Sequence, residues 1–200
     1  MLQLASPNKI YEGILVYNNS NGADILLQSI EDLLTNYTDA RWSPSRIIKS
    51  KEEGYVVDKS IRDNLYFWLN YSLDYEKETK SKMMKISSMI DTAIIPSLND
   101  YQNKYSVQIK SRDPYEILKY YEDNHLSSHT DDGGDNHSRV SLLFYINDDY
   151  EGGEIVFEYL NVSYSPKVGD IIIFPSSYIY RHHVNKVTKG VRYCIADFMA

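Results

Sequence analysis

The second half of the chain is a succession of short apolar segments separated by turn-forming residues. Glycine, proline, asparagine and aspartate mark the breaks, as in the stretches 148–153 and 166–170. Short strands at this spacing are typical of a β-sandwich or a jelly roll. We predict strands at 115–121, 126–131, 139–147, 154–159, 162–165, 170–174, 179–184 and 191–198.

Two helices are predicted ahead of these strands, and we expect them to pack on one sheet. After a turn and helix cap at residues 20–22, apolar residues recur at helical spacing from Leu26 to Tyr37, and the clearest helix, with one apolar stripe, covers residues 78–102. Pro96 is expected to kink this second helix or to end its first part. The other segments are predicted as a strand (10–17), mostly loop (38–56) and an apolar patch of undecided type (65–69).

Length and charge limit the classes of protein to consider. Two hundred residues are enough for one domain with a substantial core. A net charge of -7 argues against nucleic-acid binding through a bulk positive field. The N-terminus lacks the basic region of a signal peptide, and no apolar run reaches membrane-spanning length. We therefore expect a cytoplasmic protein with no membrane or nucleic-acid partner.

His129 and Asp131 form a His-x-Asp pair that could hold a metal ion. On one strand, the period of two turns both side chains to the same face. His182, on a strand far along the chain, could supply a third ligand. Two imidazoles and one carboxylate form the facial triad of non-heme Fe(II) oxygenases, which leaves positions open for a chelating co-substrate and O2.

Arg192 lies in an otherwise apolar strand, Val191 to Ala196. A buried guanidinium is costly unless it is paired, and the neighbouring sequence offers no obvious acid. The carboxylate of a ligand would satisfy it through a two-point hydrogen-bonded pair. Tyr120 and Tyr145 are on strands expected to line the same cavity.

Four motifs occur in an order that resembles one known family. They are a tyrosine nine residues before His-x-Asp, Tyr-Ile-Asn-Asp-Asp-Tyr-Glu-Gly-Gly-Glu, Pro-Lys-x-Gly-Asp-x-Ile-x-Phe-Pro-Ser, and His-x-Val-x-x-Val-x-x-Gly-x-Arg-Tyr. Their order and spacing resemble the prolyl 4-hydroxylase-like 2-oxoglutarate/Fe(II) dioxygenases. The resemblance covers about residues 115–198 and is weaker around residues 56–69 and the long helix.

The resemblance implies an α+β, mainly β fold, namely a double-stranded β-helix (jelly roll) with N-terminal helices packed on one sheet. We expect a single 2-oxoglutarate/Fe(II) dioxygenase domain over residues 1–200. Its helical support would cover about residues 20–105, and its jelly-roll core about residues 112–199.

The resemblance also implies the roles of the site residues. His129, Asp131 and His182 would be the catalytic iron ligands. His183 is the alternative to His182, although it would point to the opposite face of a regular strand. The distal carboxylate of 2-oxoglutarate would be bound by three residues, Arg192, Tyr120 and Tyr145.

The implied activity is hydroxylation of an unactivated C–H bond with Fe(II), 2-oxoglutarate and O2, and with ascorbate as reductant. The leading substrate is a proline-containing peptide or protein, which loops near 50–75 and 132–138 would clamp. Hydroxylation of a free amino acid or another small molecule remains open, as does a non-catalytic jelly-roll binding module. A plain β-sandwich and a zinc hydrolase are further alternatives, but the histidine-rich helical motif of zinc hydrolases is missing.

Overall fold

The computed structural model describes residues 6–50, 52–132 and 137–200. In the first half, the elements are β1 (Asn8–Tyr11), β2 (Ile14–Asn18), α1 (Ala23–Asn36), β3 (Ser43–Pro44), β4 (Ile47–Ser50), β5 (Gly54–Val56), β6 (Arg62–Asp63), β7 (Leu65–Trp68) and α2 (Lys77–Tyr105). In the second half, they are β8 (Glu116–Tyr120), β9 (His125–His129), β10 (Val140–Tyr145), β11 (Glu151–Gly152), β12 (Ile155–Phe157), β13 (Val162–Tyr164), β14 (Asp170–Pro175), β15 (His182–Val184), β16 (Val187–Lys189) and β17 (Arg192–Met199).

Two antiparallel sheets form the body of the fold. The larger sheet has the strand order β1-β2-β14-β10-β17-β8-β7-β3, and the smaller has the order β13-β12-β15-β9-β6. Apolar side chains from both sheets form one buried cluster, with Val16 and Leu143 from the larger sheet and Phe157 and Val184 from the smaller. The sheets therefore face each other across a shared interior, as in a jelly roll.

Both helices cover the outer face of the larger sheet. Alternation along β10 turns Leu143 toward the other sheet and turns Phe144 toward the helices. Phe144 shares its core cluster with Leu33 of α1 and Ile90 of α2. The predicted α+β, mainly β jelly roll with helices on one sheet is confirmed. Within the described ranges, neither helix has both the length and the apolar character that crossing a membrane requires.

The structure differs from the predictions in the first half of the chain. Helix α2 continues through Pro96, which is on the exposed face. There, water can bond the Thr92 carbonyl that has lost its donor. The predicted loop over residues 38–56 contains β3, β4 and β5, because pairing with distant strands and with each other overrides their weak local pattern. The undecided patch at 65–69 forms strand β7.

A glycine splits the strand that we predicted over residues 10–17. Gly13 has φ +75°, in the left-handed region, and joins β1 to β2 in a tight antiparallel pair. A Cβ at this position would lie 2.5 Å from the hydroxyl oxygen of Tyr180. Only glycine therefore fits this turn without movement of its neighbour.

Candidate active site

Three potential metal ligands meet at one end of the smaller sheet. His129 is the last residue of β9 and pairs with His182, the first residue of β15. Nε2 of His129 is 3.3 Å from Oδ1 of Asp131, and Nε2 of His182 is 3.9 Å from Oδ2. One ligand atom from each of the three residues lies within 4.8 Å of the others. The structure thus brings together the three residues predicted to bind the metal.

Asp131 reaches this cluster by a route that differs from the prediction. Strand β9 ends at His129, so Asp131 is in the loop that follows rather than on the same strand. Its side chain is 5% exposed and still points to both histidines. The loop, and not strand alternation, positions this carboxylate.

Backbone carbonyls orient both imidazoles. Nδ1 of His129 is 3.0 Å from the carbonyl oxygen of Ser127, and Nδ1 of His182 is 3.0 Å from that of Tyr180. A carbonyl can only accept, so each Nδ1 carries a proton and each Nε2 is the ring nitrogen that faces the cluster. Burial lowers the pKa of His182 to about 4, which keeps this imidazole neutral.

A pair of serines holds the carboxylate. Ser141 donates from Oγ to Oδ2 of Asp131 at 2.6 Å, and its Oγ is 2.8 Å from that of Ser176. Burial by itself raises the pKa of Asp131, but His182, His129 and the Ser141 hydroxyl together bring the pKa well below its usual range. The site therefore offers two imidazole nitrogens and one carboxylate oxygen, a donor set that suits a divalent first-row metal such as Fe(II).

Arg192 is buried without a carboxylate partner among the described residues. It is 1% exposed, and Nη2 donates to the hydroxyl of Tyr145 at 3.2 Å. The rings of Tyr120 and Tyr145 lie 4.7 and 4.9 Å from the guanidinium carbon. In the part of the chain that the structure describes, Nε and Nη1 have no hydrogen-bond partner. A buried cation of this kind is costly until an anion pairs with it.

One cavity of about 500 Å³ contains both groups. The three potential metal ligands line it, and so do Arg192 and Tyr120. Inward-facing residues of β8, β10 and β17 form its apolar wall, including Leu118, Leu143, Ala196 and Phe198. Tyr145 is connected to the cavity through its hydrogen bond to Arg192. The same cavity therefore contains a potential metal site and a buried guanidinium.

His183 does not join the cluster. Its Nδ1 is 2.8 Å from Oε1 of Glu158, and its Nε2 is 3.1 Å from Oδ1 of Asn185. Alternation along β15 separates it from its neighbour His182, as expected for a regular strand. Of the two adjacent histidines, His182 is therefore the one that faces the cavity.

Sequence reasoning missed several residues that shape the site. Ser141 and Ser176 come from β10 and from just after β14, so no local pattern connects them to Asp131. The rings of Phe157 and Phe174 pack at 5.5 and 5.0 Å from the imidazole of His182. Tyr150 has a buried hydroxyl with no partner among the described residues, and burial raises its pKa to about 12.

The second half of the chain matches a known family. Residues 115–200 match the model of the 2OG-Fe(II) oxygenase superfamily. A PKHD-type hydroxylase of Idiomarina loihiensis is 37% identical over 82 residues, which are 38% of this chain and 37% of that protein. Prolyl 3-hydroxylase 2 of Homo sapiens is 43% identical over 61 residues, 28% of this chain and 9% of that protein. The matches thus span little more than a third of these relatives at most.

Solved structures match over nearly the whole chain. A prolyl hydroxylase of Trichoplax adhaerens, in complex with a peptide of hypoxia inducible factor, has a TM-score of 0.71 at 19% identity and covers 94% of this chain and 83% of its own. A Pseudomonas putida prolyl-4-hydroxylase has a TM-score of 0.64 at 14% identity, with 94% and 92% covered. At these identities the likeness concerns the fold. The resemblance seen in the sequence is confirmed: residues 115–200 match the model of the 2OG-Fe(II) oxygenase superfamily, and the described residues share the fold of the prolyl hydroxylases.

Proposed function

We propose that this protein is an Fe(II)- and 2-oxoglutarate-dependent dioxygenase that hydroxylates a prolyl residue of a peptide or protein. One observation carries the proposal. His129, Asp131 and His182 converge in the same cavity as the guanidinium of Arg192, which lacks a carboxylate partner among the described residues. The first three would hold Fe(II), and Arg192 would bind the distal carboxylate of 2-oxoglutarate.

The residues present fit these groups. Two imidazole nitrogens and one carboxylate converge there, and the carboxylate of Asp131 is held ionised by its neighbours, as a divalent ion requires. When bound, Fe(II) and 2-oxoglutarate supply the oxidation of an unactivated C–H bond by O2, with succinate and CO2 as co-products. The Ser141 hydroxyl fixes the rotamer of Asp131, and the apolar wall would limit the access of water to the reacting atoms once substrate is bound.

The tyrosines would complete the binding of the co-substrate. Tyr145 already bonds Nη2 of Arg192 and so fixes the plane of the guanidinium. The N–H groups of Nε and Nη1, which have no partner among the described residues, then remain as donors for an incoming carboxylate. Tyr120, opposite Arg192 in the β8–β17 pair, covers the guanidinium face with its ring.

A peptide substrate agrees with the shape of the cavity mouth. Ile48 and Tyr55, from the β4–β5 hairpin, line the cavity and are 55% and 69% exposed. Exposed apolar and aromatic side chains at a cavity mouth suit an extended peptide that carries proline. The peptide complex of the Trichoplax adhaerens prolyl hydroxylase supports this choice. Of the predicted loop 132–138, residues 133–136 lie outside the described ranges.

The test is mass spectrometry of a panel of proline-containing peptides incubated with the protein, Fe(II), 2-oxoglutarate and ascorbate. We expect the mass of one oxygen atom to be added on proline in at least one peptide. Asp131→Ala should abolish both this product and succinate release, because the proposed metal site loses its carboxylate ligand. His183→Ala is the matched control and should keep the activity.

Each outcome has a defined meaning. Full activity of Asp131→Ala would contradict the ligand assignment. Succinate release with free amino acids but not with peptides would replace the peptide substrate with a small molecule. A protein that binds Fe(II) and 2-oxoglutarate but turns neither over would be a binding module.

A further inference from the structure

A second, smaller cavity adjoins the one that contains the metal-ligand cluster. Its volume is about 280 Å³. Six residues line this side pocket: Ser45, Arg46, Tyr55, Arg62, Tyr66 and Glu116. Arg46, Tyr55, Arg62 and Glu116 also line the larger cavity. The side pocket and the larger cavity therefore share a wall at the mouth of the site.

The side pocket contains an unpartnered buried hydroxyl. Ser45 is 1% exposed, and its Oγ has no hydrogen-bond partner among the described residues. Its backbone N–H bonds the carbonyl of Asn64 at 2.9 Å, which fixes its position. A buried hydroxyl without a partner costs free energy, and such groups are rare in folded proteins. This donor is available to a ligand that enters the pocket.

The charges around the pocket favour an anion. Arg62 is held by Glu116 at 3.3 Å and by Oδ1 of Asn64 at 3.2 Å, so its own charge is largely balanced. Arg46 is exposed and forms no ion pair with any residue that the structure describes. The pocket thus has two guanidinium groups and one carboxylate. The unbalanced guanidinium is that of Arg46.

The pocket is built from segments that meet only in the folded chain. Ser45 and Arg46 directly precede β4, and Tyr55 is on β5 of the same hairpin. Arg62, Tyr66 and Glu116 come from β6, β7 and β8. A ligand group in this pocket would contact both the hairpin and the sheet. It would also lie beside the substrate position in the larger cavity.

We propose that the side pocket binds a carboxylate of the prime substrate, close to the position that is hydroxylated. This inference rests on the proposed function and adds the substrate class to it. A guanidinium matches a carboxylate in a two-point geometry, and the Ser45 hydroxyl would donate a further bond. The carboxylate comes either from an Asp or Glu side chain near the proline or from the terminus of a short substrate.

The test compares matched ligands by direct binding, under anaerobic conditions with Fe(II) and 2-oxoglutarate. The probes are fluorescent proline peptides with Glu or Gln beside the proline, each with a free or an amidated C-terminus. N-acetylproline and its amide, used as competitors, represent short substrates. We expect the carboxylate form to bind on the order of ten-fold tighter than its amide, about the combined effect of one exposed charged pair and one hydrogen bond to a charged group.

Substitutions in the side pocket test which residues cause the preference for the carboxylate form. Arg46→Gln should remove most of the preference, and Arg46→Glu should invert it toward a peptide with Lys beside the proline. Ser45→Ala should reduce the preference several-fold. Arg41→Gln is the matched control, because Arg41 is also exposed and is not among the residues that line either cavity. Equal thermal transitions of Arg46→Gln and Arg41→Gln would show that both variants fold.

The outcomes separate this inference from the proposed function. Equal binding of every carboxylate and amide pair overturns the inference, whether or not proline is hydroxylated. A preference that survives in Arg46→Gln also overturns it. A preference without any hydroxylation overturns the proposed function and leaves the carboxylate pocket intact. If amidation of the C-terminus weakens binding, the terminal carboxylate is the group that the pocket binds. If exchange of Glu for Gln weakens binding, that group is the Glu side chain.

Discussion

At the scale of single residues, Arg192 shows most directly how sequence and function are connected. The structure gives its guanidinium two aromatic faces and one hydroxyl, while Nε and Nη1 have no partner among the described residues. The sequence already predicted this, because an arginine in an apolar strand with no nearby acid needs an anion from elsewhere. A buried guanidinium without an anionic partner lowers the stability of the free protein, so we interpret Arg192 as a residue that binds an anionic ligand.

Replacing Arg192 should therefore separate co-substrate binding from folding. We expect Arg192→Gln to raise the KM for 2-oxoglutarate by on the order of 100-fold, since truncating one member of a buried charged pair costs about 2–5 kcal/mol. The KM for the peptide should change little. Without 2-oxoglutarate, the variant should melt at the same temperature as the wild type or above it, because a buried unpaired charge is gone.

Steady-state kinetics and thermal melting with and without 2-oxoglutarate, both in the presence of Fe(II), check this expectation. The co-substrate should raise the melting temperature of the wild type but not that of the variant. Tyr193→Phe, which alters the neighbouring residue on the helix side of β17, is the control. Equal increases in both KM values would contradict the role given to Arg192.

The limits of sequence reasoning are also visible at the residue scale. His129, Asp131 and His182 could be named because two of them form a short motif and the third occurs at a recognisable spacing from Arg192. Ser141 and Ser176 could not, because they are joined to Asp131 only by the pairing of β10 with β14. Hydrogen bonds between strands distant in sequence leave no local pattern to read.

At the scale of elements, an ionic cluster connects α2 to β17, a central strand of the larger sheet. Arg112 donates from Nη2 to Oδ2 of Asp197 at 2.5 Å and from Nη1 to Oδ1 of Asp91 at 3.1 Å. Asp91 belongs to α2, and Asp197 to β17. The side chain of Asp197 is 0% exposed. Burial raises the pKa of Asp197 to about 6, and the opposing attraction of Arg112 does not overcome it.

This pKa predicts how stability depends on pH. The pKa of Asp197 is higher in the folded state than in the unfolded state, so the folded protein binds the proton of the Asp197 carboxyl more tightly. The stabilisation by the proton is complete below pH 4 and is lost as the pH rises through about 6. Two pKa units correspond to a loss of on the order of 3 kcal/mol in the free energy of unfolding.

Denaturant unfolding between pH 4 and pH 7 tests this expectation. Asp197→Asn cannot ionise, so its free energy of unfolding should fall less over this range than that of the wild type. Asp74→Asn, at an exposed position, is the control and should follow the wild type. Identical pH profiles for wild type and Asp197→Asn would show that Asp197 stays ionised throughout.

The elements themselves were predictable to different degrees. Strands such as β10 and β14 have long apolar runs, and their predicted bounds agree with the observed ones to within about two residues. The short strands β4 and β5 have no such run and exist because they pair with each other as a hairpin. That hairpin lines the mouth of the cavity, so the part of the fold hardest to predict is the part that would contact the substrate.

At the scale of the whole molecule, we propose that the helical support, about residues 20–105, and the jelly-roll core, about residues 112–199, form one domain. A single apolar cluster contains Leu33 of α1, Ile90 of α2 and Phe144 and Ile173 of the larger sheet. Neither layer could bury these side chains without the other. The metal-ligand cluster is on the far side of the larger sheet, so its geometry depends indirectly on the helices.

The last prediction follows from this shared core. Ile90 is 0% exposed, and Ile90→Ala should lower the free energy of unfolding by about 2–5 kcal/mol. If helices and sheets are one unit, far-ultraviolet circular dichroism and tryptophan fluorescence should report the same lowered transition. Ile95→Ala, on the same helix at 39% exposure, is the control and should cost far less. Fe(II) with 2-oxoglutarate should then raise the melting temperature of the helices together with that of the sheets, since a ligand stabilises the whole cooperative unit to which it binds. If the helices melt separately, or if their melting temperature does not respond to these ligands, the chain consists of two folding units.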